Sequence, residues 1–91
     1  MNIASEEAIS LLEEWRTAGT PLRVHLSGKE FQAAIDAIAG TQISLISGRE
    51  KVQIDVQGAD FNGDSRKVSG YLVCEFRNGD RCSFYVLAQP R

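Results

Sequence analysis

Residues 22–56 read LRVHLSGKEFQAAIDAIAGTQISLISGREKVQIDV. Apolar residues recur at every second position, in runs broken by Ser27-Gly28, Gly40-Thr41 and Ser47-Gly48. Alternation at period two between turn formers predicts a meander of half-buried strands. Leu22, Val24 and Leu26 point one way in the first strand, with Arg23, His25 and Ser27 on the wet side. Strands are also predicted over Thr41–Ser47 and Lys51–Val56, joined by Gly48-Arg49-Glu50. In the second of these, Val52, Ile54 and Val56 form the dry face and Lys51, Gln53 and Asp55 the wet one. Between them, residues 29–40 admit two readings. Phe31, Ala34, Ile35 and Ile38 have helical spacing, and Ser27 with Glu30 makes a capping-box pattern. Phe31, Ala33 and Ile35 equally share one face of a strand, with Ser27–Glu30 as a hairpin turn.

Upstream, Ser5 to Ala18 is predicted as a helix. Ser5 is the expected N-cap, Glu6 and Glu7 place negative charge at the positive end of the dipole, and Gly19 suits a left-handed cap before Pro21. Ala8, Ile9, Leu11, Leu12 and Trp15 gather on one side, so Trp15 reads as an anchor to the sheet rather than a ligand-stacking residue.

Downstream, residues 57–67 (QGADFNGDSRK) read as the longest loop. Asp60, Asn62 and Asp64 have the spacing that opens a calcium loop, but Ser65 and Tyr71 stand where such a loop needs Gly and Glu. Val68 to Leu87 reads as a hairpin closed by a two-residue Asn78-Gly79 turn. That turn sets Glu75 opposite Cys82 and Cys74 opposite Ser83. The two cysteines then lie on opposite faces, and only a bulge would bring them together as a disulfide or redox pair. The same register makes the hairpin apolar on both faces, which calls for cover by the helix on one side and by a partner subunit or strand bending on the other.

The chain has 91 residues, 43% hydrophobic and 24% charged, with a formal charge of −2, as expected for one globular domain spanning residues 1–91. Glu6, Glu7, Glu13 and Glu14 against Arg16 give residues 1–18 a local −3, leaving about +1 elsewhere. No basic patch of the kind that drives nucleic-acid binding is evident. No apolar run approaches the ~20 residues that span a bilayer. The first ten residues lack the basic and apolar regions of a signal peptide, and the cysteines fit a reducing compartment, so a cytoplasmic location is expected.

A helix followed by a bent antiparallel meander resembles the Sm-like barrel. Gly28 at the hairpin turn, Phe31, Ile35 and Ile38, then Ile43 and Leu45, resemble the first Sm motif without a gap, most closely as it stands in the bacterial Sm-type RNA chaperone. The resemblance resolves residues 29–39 as a strand. It implies an α+β, mostly β fold: an N-terminal helix and a strongly bent antiparallel sheet of five to six strands in a small SH3-type barrel. The departures are Ala33 where the family has a glycine, Ala39 for the acidic turn residue and Thr41 for the base-stacking aromatic. The Tyr-Lys-His cluster of the second motif has no counterpart after Val52. The opening residues 13–28 also resemble small bacterial proteins with a helix–Gly-Thr-Pro–strand start, which implies no function.

These features predict a non-catalytic protein that acts by self-association, as a dimer or ring, or by binding another protein. The alternative is a weak Sm-type RNA binder using Arg23, Lys29, Gln42, Arg49 and Lys51, with Arg66 and Lys67 as further phosphate contacts. The single histidine, His25, has no metal-ligand spacing around it and no visible nucleophile partner. Asp36 and Asp55 read as exposed-face carboxylates. No catalytic group, metal or cofactor is expected.

Overall fold

The computed structural model describes residues 2–64 and 70–87. In chain order the elements are β1 (Asn2–Ile3), α1 (Ser5–Ala18), β2 (Leu22–Leu26), β3 (Lys29–Ala39), β4 (Gln42–Ser47), β5 (Glu50–Asp55), β6 (Asp60–Asp64), β7 (Tyr71–Glu75) and β8 (Arg81–Val86). The strands form one antiparallel sheet in the order β1-β6-β7-β8-β2-β3-β4-β5. The fold is therefore a helix plus a mostly β body, as the meander predicts. It corrects the expected five to six strands to eight, and the sheet is open, with β1 and β5 at its edges.

Helix α1 has the predicted bounds, and Gly19 caps it in the left-handed conformation with φ 65°. Ser5 is not the cap. Ala4 holds that position, with no side-chain capping bond, because Asn2 and Ile3 pair with β6 and deliver an extended chain to the helix one residue early. Ala8, Leu11, Leu12 and Trp15 are buried, and the helix lies against β3 and β6. Trp15 thus anchors helix to sheet.

Lys29–Ala39 is a strand. Its first half pairs with β2 (Leu22↔Ala33) and its second with β4 (Ile35↔Leu45), and the register shifts between Ile35 and Ala37, leaving Asp36 as an extra residue. Such a bulge bends a strand and increases its twist. β3 is in this way shared by the two halves of the sheet. The turns on either side of it are two-residue ones: Ser27 and Gly28 both have positive φ (50° and 79°), and Gly40 has φ 62°.

Two further expectations are corrected downstream. Within residues 57–67, expected as a loop, Asp60–Asp64 forms β6 and pairs with both β1 and β7. Phe61 and Gly63 are its buried positions. A Cβ at Gly63 would lie 3.1 Å from both Leu72 Cδ1 and the Tyr71 carbonyl oxygen, so the ladder needs glycine there.

The β7–β8 hairpin closes through three residues, not two. The Phe76 N–H donates to the Asp80 carbonyl at 2.9 Å, Gly79 takes φ 91°, and the Asp80 N–H donates to Asn78 Oδ1 at 2.9 Å. This is a turn with a glycine bulge, and its odd residue count moves the register by one. Cys74 faces Cys82 and Leu72 faces Phe84, all four fully buried. Tyr71, Val73, Ser83 and Tyr85 face outward. The hairpin is therefore wholly apolar on its inward face and mixed on its outward one, and burial of the inward face selects the register. The core gathers these residues with Leu22, Val24, Ile43, Leu45, Ile54, Val56 and the buried face of α1.

Candidate interaction surface

The outer face of β7, β8, β2 and β3 carries a cross-strand row running Tyr71, Tyr85, Arg23, Gln32, beside a second running Val73, Ser83, His25, Glu30. The Tyr71 and Tyr85 rings stack at 6.4 Å between centroids, and His25 meets Tyr85 edge-on at 6.0 Å. Tyr85, 42% accessible, is an exposed large apolar residue. Arg23 Nε lies 3.0 Å from Glu30 Oε1, and His25 Nε2 lies 3.7 Å from Glu30 Oε2. The row can stack a planar group, but its arginine is already paired with a carboxylate.

The five residues proposed for nucleic-acid or ligand contact do not converge. Arg23 lies on that outer face and Lys29 at the start of β3, after the Ser27-Gly28 turn. Gln42 begins β4, opposite Asp55, whereas Arg49 is in the turn at the far end of the β4–β5 hairpin, next to Lys51. Lys51 Nζ stands 4.0 Å from Asp36 Oδ2. Arg49 and Lys51 are neighbours in sequence alone, one in the turn and the other on β5. Arg66 and Lys67 lie outside the described residues. Asp60 and Asn62 sit on the β6 ladder rather than in a loop, and the described residues hold no cluster of three or more His, Cys, Asp or Glu able to bind a metal.

Cys74 and Cys82 face each other as free thiols, a pairing the expected register missed. Burial, and then the neighbouring Cys82, pushes the Cys74 thiol from 9.0 up to about 12, and burial does the same for Cys82. Burial thus favours the protonated thiols at neutral pH. The pair packs as two small apolar groups and offers no nucleophile.

The open edge at β5 presents a different chemistry. The Val56 N–H donates to the Thr41 carbonyl at 2.9 Å, and Ser47 pairs with Glu50 across the turn. Because antiparallel partners alternate between bonded and non-bonded pairs, this phase turns the amides and carbonyls of Glu50, Val52 and Ile54 toward β4. Those of Lys51, Gln53 and Asp55 point away from the sheet. Side chains alternate as predicted: Ile54 buried, Val52 half-buried, and Lys51, Gln53 and Asp55 exposed. Asp55 Oδ1 accepts from the Thr41 hydroxyl and from the Gln57 N–H, each at 3.0 Å, so this carboxylate is held in place.

No family model, curated protein or solved structure matches the chain. No helix among the described residues is long and apolar enough to cross a membrane.

Proposed function

We propose that this protein is a non-catalytic β-module that works by association, pairing its open sheet edge with another β-strand. The observation that carries this reading is β5, a six-residue edge strand whose Lys51, Gln53 and Asp55 direct backbone donors and acceptors outward, away from any strand among the described residues. The hairpin contributes less to association than its sequence predicts, because the observed register buries its most apolar face. Size exclusion with light scattering over a concentration series, recording the 260/280 nm absorbance ratio, tests the reading. A mass rising to twice that of the chain with a protein-like ratio is expected. A monomer at every concentration, with no strand-bearing partner bound, overturns it.

The second reading is a weak single-stranded RNA binder, favoured by the Tyr71–Tyr85 stack beside Arg23. Nuclease-sensitive 260 nm absorbance in the same peak would move it first. Distant kinship with Sm-like barrels is supported by the helix that precedes the meander and by the bend in β3.

A further inference from the structure

We propose that the strand paired with β5 is β5 of a second copy, antiparallel about a two-fold axis at Gln53, with Lys51 facing Asp55 of the other copy; this rests on the association reading above. The backbone limits the alternatives. Only Lys51, Gln53 and Asp55 offer outward groups, so in an antiparallel pair an odd-numbered residue must face an odd-numbered one. Three registers satisfy this near the centre of the strand. A centre at Val52 sets Lys51 against Gln53 and reaches an opposite charge for Asp55 only at Arg49 in the turn, and a centre at Ile54 sets Gln53 against Asp55 and Lys51 against Gln57. A centre at Gln53 aligns the whole five-residue run KVQID with its own reverse. Lys51 meets Asp55, Val52 meets Ile54, and Gln53 meets Gln53.

Each side of the paired strands is then complementary. The outer face carries two Lys–Asp pairs flanking a glutamine pair, and opposite charges directly across a ladder stabilise it. Asp55 is already fixed by Thr41 and Gln57, whereas Lys51 is 71% exposed and only loosely engaged with Asp36, so it is free to reach across. On the other side, the half-buried Val52 stands next to Ile54 of the second copy. The three pairs form about six hydrogen bonds between copies, two for each pair.

Sedimentation velocity with charge-swapped chains tests this. Lys51→Asp sets Asp against Asp and Asp55→Lys sets Lys against Lys, so each alone weakens the dimer by at least about tenfold. Mixed in equal amounts, the two variants restore both opposite-charge pairs and form a heterodimer of wild-type affinity. Gln53→Pro removes an outward N–H without touching the β4 ladder, a place where an edge strand tolerates proline, and gives a monomer with an unchanged circular dichroism spectrum. A wild-type dimer whose affinity none of the three substitutions changes would place the interface elsewhere, overturning the register while leaving association standing. A wild-type chain that stays monomeric overturns this proposal, and overturns the association reading as well when no strand-bearing partner binds.

Discussion

Gly63 and the facing cysteines show how much a single inward position decides. In β6 the only inward side chain of any size is Phe61, because the next inward residue is a glycine pressed against Leu72, Tyr71 and Ile3. A strand whose inward residue has no side chain shows no apolar alternation, so the polar letters around it read as a loop. Gly63→Ala should lower the denaturant midpoint by the equivalent of about 1–3 kcal/mol, since a backbone oxygen blocks the new methyl. The cysteines yield a pH prediction. Unfolding lowers each thiol from about 12 to its ordinary 9.0, so the unfolded chain releases protons first. Their contribution to stability is whole below pH 9 and is lost as pH rises toward 12. Comparing urea midpoints of the wild type and a Cys74→Ala/Cys82→Ala variant from pH 8 to 11 should show the wild type falling more steeply, by up to about one proton per thiol. Equal slopes would contradict the burial of these thiols.

The elements show why part of the fold was legible and part was not. The bounds of α1 and the strands β2, β4 and β5 follow from periodicity and turn residues, and the structure keeps them to within a residue or two. β3 was ambiguous for a physical reason. The bulge at Asp36 inserts one residue into a period-two pattern, so inward Ile35 and Ile38 stand three apart and mimic a helix. Deleting Asp36 should therefore keep Ile38 facing Ile43 in a regular ladder but remove the bend in β3, and so destabilise the protein. Asp36→Ala removes only a loose contact with Lys51 and should stay within ~0.5 kcal/mol, as thermal melts of both variants would show. The β7–β8 register had a readable signal that the Asn-Gly dipeptide overshadowed. Leu72, Cys74 and Phe76 on one strand and Cys82, Phe84 and Val86 on the other are all even-numbered, so facing them requires a loop with an odd number of residues. Gly79→Ala, forced to φ 91° with no nearby atom to blame, should cost about 1–2 kcal/mol by urea titration.

At the scale of the whole molecule, the sheet is long, bent at β3, backed by one helix and left open. Its outer surface is mixed in charge: among the described residues Arg23 is answered by Glu30, Lys51 by Asp36 and Arg81 by Glu75, so these three cations build no common site. The candidate site was only half legible for the same reason. Lys51 was visible as a charge, but its value as part of a self-complementary strand depends on β5 being an edge, which only the strand order reveals. Amide hydrogen exchange by NMR, residue by residue along β5 at low and high protein concentration, tests association through this edge most directly. Edge pairing predicts that Val52 and Ile54 are protected throughout, while Lys51, Gln53 and Asp55 exchange freely when dilute and become protected as concentration rises. Free exchange at those three amides at every concentration would contradict it.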